Sequence, residues 1–354
     1  RDGSPVGRVA AGIAPPPNLT TEPVWRAAEP VKIADRFRPV SVTQPRPGVR
    51  VFDFGQNFAG RPQPTLDGKV PAGTTVKLLP AESLNADGTV NQAFIMGGGS
   101  RGTDIFASYT THGSAEGETW HPELNYFGMQ WVQVTGLPAG YQPTPKTVTG
   151  LQLHADTPAA GRMKTSNDRI NRIHQMSRYP IVITTMSAFT DCPGREKLAY
   201  PADYLQPFDF LHRHFGCAAY LRTIERHLTE GQSEAGDDIG NVALKAPVYD
   251  WGCTGRFRDG INWGNGVILT PWFLYKVYGD THTMAHYYPR MQAFLNYIRT
   301  GKAGTGADAH IMDAAPADWI GAELGRYTSR STRPPPGPTP SPGAVCTQRD
   351  EALP

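Results

Sequence analysis

The sequence predicts two folds in series, an antiparallel β-sandwich followed by a run of helical hairpins. Three observations predict this. Up to about residue 155 the apolar residues come in short runs broken by Gly, Pro and Asn. Beyond His154 they recur at helical spacing in successive segments with no strands between them. The composition, 39% hydrophobic and 19% charged over 354 residues, belongs to a folded chain long enough for more than one domain.

In the first part, Val51–Phe54 and Thr75–Leu79 are short apolar runs of strand character, and Gln130–Val134 alternates polar and apolar as a half-buried strand does. Gly68, Gly73, Gly88, Gly102, Gly113 and Gly136 punctuate the segment as turns between sandwich strands. Residues 1–37 are expected to be an N-terminal extension or the remnant of a preceding β domain, with the sandwich spanning 38–156.

The second part is expected over 157–326. Ser166 and Asn167 are N-cap candidates ahead of Ile170, Ile173 and Met176 at helical spacing. Ala218–Thr229 carries Leu221, Ile224 and Leu228 on one face. Val267–Tyr278 and Met284–Ile298 are two further helices, separated by Gly279-Asp280. Sequential helices with loops between them are helical hairpins, and a run of hairpins can close into a toroid. Three or four helices are too few to close one. They leave apolar helix faces uncovered. From 327 to 354 the chain is rich in Pro, Ser and Arg and carries no periodicity, the composition of a disordered linker or tail.

Composition also excludes classes. A net charge of +2 offers no basic footprint for nucleic acid or an anionic membrane. No apolar run of about 18 residues spans a bilayer, and no basic-then-apolar leader follows Arg1. The cysteines at 192, 217, 253 and 346 are too scattered for a zinc site or disulfide framework. His212, His214 and His227 have no acid spaced with them for a metal site, and are expected to be solvent-facing or capped. Met96-Gly97-Gly98-Gly99-Ser100 lacks the Lys-Ser/Thr of a phosphate loop and reads as a connection. Glu234, Asp237 and Asp238 read as an exposed acidic turn. Asn18-Leu19-Thr20 has the form of a glycosylation sequon, which has meaning only in a secreted eukaryotic protein.

The densest polar cluster runs Thr190-Asp191-Cys192-Pro193-Gly194-Arg195-Glu196-Lys197-Leu198-Ala199-Tyr200-Pro201-Ala202-Asp203. Pro193-Gly194 favours a turn, which places Arg195 and Glu196 on a loop or at a helix start. An Arg beside a carboxylate can hold sugar hydroxyls while the acid moves a proton. The same residues equally suit a loop salt bridge beside a capped helix.

This cluster, Asp-Cys-Pro-x-Arg-Glu-Lys-Leu with an aromatic two residues on and an Asp three later, resembles the signature loop of the bacterial inverting α-L-rhamnosidases. Other stretches resemble that family in the same order: Val51–Gly60, Ala81–Thr89, His121-Pro122 through Trp131-Val132, Asn262-Trp263-Gly264-Asn265, Pro271-Trp272, Tyr278-Gly279-Asp280 and Asp318-Trp319. The resemblance spans roughly residues 40 to 320. It implies a β-sandwich followed by the front half of an (α/α)6 toroid, with the chain ending inside the barrel.

It also implies a reaction, removal of terminal α-L-rhamnose from an oligosaccharide, polysaccharide or glycoside with inversion. One carboxylic acid protonates the leaving oxygen while a second carboxylate activates water on the opposite face. Glu196 aligns with the acid, a role that requires a carboxyl keeping its proton near neutral pH. Asp191, Arg195 and Asp203 would bind sugar hydroxyls, and Lys197 would stand beside the acid and modulate it. Trp263 and Trp319, with Asn265 and Asp318 beside them, would line the pocket, although each tryptophan alone also suits a core. The general base belongs to the back half of the family's barrel, and no residue is assigned to it.

Two positions depart from the family pattern. Tyr200 stands where the family carries Trp, and Trp263-Gly264-Asn265 replaces Trp-Gly-Asp. They open a second reading, a polysaccharide lyase that removes rhamnose from glucuronate by β-elimination. There Tyr200 would be the base and Lys197 or Arg195 would neutralise the uronate. A third reading is a carbohydrate-binding fragment without activity.

Overall fold

A computed structural model describes residues 27–96, 104–236, 239–248, 261–301, 303, 304 and 306. Its first half is antiparallel β structure. In chain order the strands are β1 (Val31–Phe37), β2 (Ser41–Arg46), β3 (Val49–Leu66), β4 (Thr75–Ala81), β5 (Ser83–Leu84) and β6 (Val90–Asn91). After the short helix α1 (Ala93–Met96) come β7 (Ala107–Thr110), β8 (Glu118–Thr119), β9 (Phe127–Thr135) and β10 (Val148–Ala155). The main sheet has eight strands in the order β1-β10-β3-β9-β4-β7, with β2 and β8 also paired to β3. β5 and β6 form a separate ribbon.

The long strand β3 organises this half. Its first part pairs with β2, and its later part pairs with β10 and β8. Its register against β9 shifts between Asp53 and Phe58. Gly55, at φ 69°, lies inside that irregularity, where a residue with a Cβ would be strained. The inward side chains Phe52, Phe54, Phe58, Val76, Leu78, Met129, Val132 and Val134 form one buried cluster. The strand runs read from Val51, Thr75 and Gln130 fall within β3, β4 and β9. The sheet nevertheless begins at Val31, inside the 1–37 segment expected to lie outside it, because β1 pairs with β10 from Val31↔Ala155 to Phe37↔Gly150. Most of β1 is exposed, so the burial pattern that marks a strand in sequence is weak there.

The second half is helical: α2 (Asp168–Thr184), α3 (Pro201–Leu205), α4 (Phe208–His214), α5 (Ala218–Glu230), α6 (Ile261–Gly264), α7 (Gly266–Tyr278) and α8 (Thr281–Gly301). Of the two cap candidates, Asn167 takes the position. Its side chain accepts from the N–H groups of Arg169 at 2.9 Å and Ile170 at 3.4 Å. Asn167→Ala is therefore expected to lower stability by about 1 kcal/mol, read as a lower denaturant midpoint at unchanged slope. Ile170, Ile173 and Met176 do lie on this helix but remain exposed, Met176 at 73%. Leu221, Ile224 and Leu228 of α5 are buried against Val267 and Leu274 of α7 and Phe294 of α8. Gly279 ends α7 in the left-handed conformation at φ 67°. Asp280 then caps α8 through Thr283 N–H at 2.9 Å and accepts Arg222 Nε of α5 at 2.7 Å, tying the hairpin to its neighbour. Among the described residues no helix is long and apolar enough to cross a membrane.

The two halves share a packed boundary. Ala155, the last residue of β10, donates to the Thr185 carbonyl at 2.8 Å. Ala59 and Leu153 of the sheet pack with Met186, just beyond α2. This boundary places the segment after α2 against the β10 and β3 strands of the sandwich.

Candidate active site

The polar loop leaves α2 through Thr190, whose N–H returns to the Thr184 carbonyl at 2.9 Å. Its neck is closed by a reciprocal pair: Asp191 N–H donates to the Leu198 carbonyl at 2.9 Å, and Leu198 N–H donates to Asp191 Oδ1 at 2.9 Å. Between these two residues the chain makes a compact turn through Pro193-Gly194. Glu196 N–H donates to Cys192 Sγ at 3.2 Å, so the thiol serves the loop's own backbone. Burial pushes that thiol above its ordinary range, away from reactivity.

Both oxygens of Glu196 are engaged. Arg195 Nη2 donates to Oε1 at 2.6 Å, and the Tyr200 hydroxyl donates to Oε2 at 3.2 Å. The two charged side chains are 30% and 18% exposed, so the carboxyl sits in a shallow, partly desolvated recess. Tyr200 and Trp263 both pack on Leu244, and the Ala246 N–H donates to the Ala199 carbonyl at 2.9 Å, laying the 241–248 segment alongside the loop. Pro201 at N1 starts α3 with a preset φ. Asp203 follows in the first turn.

The acids here influence one another. Burial, then the charges of Asp191 and Glu196, push the Asp203 carboxyl up to about 6. Burial likewise raises Asp191, against the hydrogen bond from Leu198 N–H that favours its anion. Burial raises the Tyr200 hydroxyl strongly, and the carboxylates around it raise it further. A proton-abstracting tyrosinate needs the opposite shift, and the hydroxyl here is a donor to Glu196.

The structure thus brings Asp191, Arg195, Glu196, Tyr200, Asp203 and Trp263 into one neighbourhood. Asn265 caps the start of α7 with its backbone, and the next residue, Gly266, packs so tightly on Pro201 that an added Cβ would lie 3.0 Å from the proline ring. Asn265 therefore stands beside the start of α3. Its Oδ1 is buried without a hydrogen-bond partner among the described residues. Asp318 and Trp319 lie outside the described residues, as do Gly97 to Ser100, Asp237, Asp238 and Asn18.

The resemblance put Lys197 beside the acid; in the structure its ammonium turns to the sandwich, donating to the Tyr126 carbonyl at 2.5 Å and to Asn125 Oδ1 at 3.3 Å. Lys197 itself adopts φ 58°, held there by these contacts with the sandwich. His214 and His212, expected to be solvent-facing or capped, both have partners. His214 is half-buried, with its Nε2 at 2.6 Å from His174 Nε2 and its Nδ1 on the Phe210 carbonyl at 2.8 Å. His212 stands 3.5 Å from Asp209 Oδ1, an acid one helical turn away. Among the described residues no group of three or more His, Cys, Asp or Glu side chains is arranged to hold a metal ion.

Sequence reasoning did not single out Asn125, Tyr126 or Glu82, all on the sandwich side of the loop. Glu82 and Tyr126 lie in two stretches that carried the resemblance, where they read only as parts of strands and turns. Glu82 accepts Asn57 Nδ2 at 2.9 Å and lies against Gly194, whose absent Cβ would fall 2.9 Å from Glu82 Oε2.

The carboxyl–guanidinium pair thus lies on the loop that connects a β-sandwich to helical hairpins. The family model for the bacterial α-L-rhamnosidase concanavalin-like domain matches residues 43–154, and that for the bacterial α-L-rhamnosidase 6 hairpin glycosidase domain matches residues 158–335. The chain belongs to the bacterial α-L-rhamnosidase family. An α-L-rhamnosidase of Streptomyces avermitilis is 31% identical over 303 residues, covering 82% of this chain and 27% of the relative. One from Formosa agariphila is 25% identical over 303 residues, covering 84% of this chain and 31% of its own length. Among solved structures, the Streptomyces avermitilis enzyme complexed with L-rhamnose superposes with a TM-score of 0.71 at 29% identity, over 84% of this chain and 26% of that one. The α-L-rhamnosidase of Dictyoglumus thermophilum gives 0.68 at 25% identity, over 78% and 30%. The chain therefore spans less than a third of the length of these relatives.

Proposed function

We propose that this chain carries the acid half of a glycoside hydrolase that removes terminal α-linked L-rhamnose from glycans or glycosides with inversion. The observation that carries this reading is the Glu196 carboxyl, held between Arg195 and Tyr200 on a loop whose sequence and fold are those of the family. Glu196 delivers a proton to the leaving glycosidic oxygen. Arg195 stabilises an anion wherever it sits, so it has to exchange the carboxyl for a sugar hydroxyl before that proton leaves. Asp191 and Asp203 accept hydrogen bonds from the remaining hydroxyls. Trp263, packed on the same Leu244 as Tyr200, offers a flat apolar face to the ring and methyl group of rhamnose. Asn265 adds a neutral amide, and Asp318 and Trp319 are assigned to the same pocket on sequence. The water-activating base is assigned to no residue here. No step calls for a metal or organic cofactor.

The test uses the full-length protein that contains this chain and a rhamnosyl-glucuronate oligosaccharide, followed by proton NMR and ultraviolet absorbance together. The expected result is rhamnose appearing first as the β anomer, with no rise from an unsaturated uronate. First appearance of the α anomer would overturn inversion. A rise in absorbance that is lost on Tyr200→Phe would make the protein a lyase.

A further inference from the structure

Lys197 is the only non-glycine residue at positive φ among the described residues, and it directly follows the proposed acid. A non-glycine side chain in the left-handed region is strained and persists there only where the surroundings over-determine it. Here the enforcing contacts are visible. Besides its two hydrogen bonds to Tyr126 and Asn125, the ammonium lies 4.7 Å from the centre of the Tyr126 ring and 5.3 Å from that of Phe127. These acceptors sit at or just before the start of β9, on the sandwich. Two of the three ammonium donors are thus committed to protein acceptors.

The opposite side of the same turn is seated on the sandwich as well. An added Cβ on Gly128 of β9 would fall 2.8 Å from Glu82 Oε1 and 3.0 Å from Pro193 Cγ. Pro193-Gly194 therefore fits a notch floored by Gly128 and walled by Glu82, while Lys197 is fastened a few residues further along. Between these two anchors lie Arg195 and Glu196.

We propose that Lys197 is a positioning residue: its side chain fastens the acid loop to the β-sandwich and holds the left-handed turn that sets the Glu196 carboxyl between Arg195 and Tyr200. This rests on reading Glu196 as the general acid. The sandwich then acts as a template for the acid, and Lys197 acts through the backbone without touching the sugar.

The test compares two substrates in the full-length enzyme. An alkyl rhamnoside needs its leaving oxygen protonated, and an aryl rhamnoside with a strongly acidic phenol needs little help. Lys197→Met is expected to lower kcat on the alkyl substrate about tenfold, with KM nearly unchanged and the aryl rate much less affected. Lys197→Arg, which keeps a cation able to reach the carbonyl, is expected to restore most of the loss. If Lys197→Met does not fold, Gly128→Ala presses on the same turn from its other side and is expected to give the same substrate-selective loss. Parallel losses on both substrates would mean that Lys197 only maintains the fold, and a rise in KM without a fall in kcat would mean that it binds sugar. Either overturns the proposal. Glu196→Gln, run alongside, separates the two levels. Full alkyl activity in that variant removes the acid assignment and this inference with it. A loss in Glu196→Gln but none in Lys197→Met removes this inference alone.

Discussion

Glu196→Gln in the full-length protein is expected to lower kcat on an alkyl rhamnoside by about 10²–10⁴-fold, with a far smaller loss on an aryl rhamnoside whose phenol leaves unaided. The amide keeps the size of the carboxyl, and its carbonyl oxygen can still accept the Tyr200 hydroxyl, so the loop has no reason to move. What disappears is the proton donor and the ion pair with Arg195, whose Nη2 stands 2.6 Å from Glu196 Oε1. An exposed pair of this kind contributes little to stability, and this one is partly exposed on both sides. The melting temperature should therefore stay close to that of the parent while the alkyl rate collapses. Steady-state kinetics on both substrates and a thermal melt check this. Equal losses on both substrates, or a large fall in melting temperature, would show that Glu196 holds the loop together and is not the acid.

This site was legible in the sequence to the extent that it is contiguous. Asp191, Arg195, Glu196, Tyr200 and Asp203 lie in one stretch, so reading the stretch finds them together, and its Pro-Gly turn already argued for a loop. Trp263 comes from a distant segment and was found only through the resemblance, yet it packs on the same Leu244 as Tyr200. The direction of Lys197 was not legible. It depends on one φ of 58°, which no propensity assigns to lysine and which tertiary contacts impose. The sandwich residues that receive it were hidden for the same reason: Asn125 and Tyr126 precede Lys197 by more than 70 positions and meet it only once the two halves pack. The His174–His214 contact, formed across 40 positions, was equally out of reach. Helical periodicity located α2 but could not say what its stripe faces, since Ile170, Ile173 and Met176 are exposed in this chain.

Glu225→Leu is expected to raise stability at neutral pH by about 2 kcal/mol, and the gain should shrink in acid. Glu225 lies on α5 with no exposed surface, and neither of its carboxylate oxygens has a hydrogen-bond partner among the described residues. Tyr204 and Tyr287 are close enough to feel its charge, but the Tyr204 hydroxyl is taken by Thr270 Oγ1. Burial without compensation pushes the carboxyl well above its ordinary range and so favours its neutral form in the folded chain. The sign follows from linkage. Between the unfolded carboxyl value, about 4.3, and the raised folded value, the folded state binds the extra proton, so stability falls as pH rises through that window. Leucine fills a similar volume with no polar atom to desolvate and does not titrate. Denaturant midpoints at about pH 5 and about pH 8 should therefore fall more steeply for the parent than for the variant across that interval. A variant less stable than the parent at both values would mean that the carboxyl has a partner in the folded protein and that its burial is compensated.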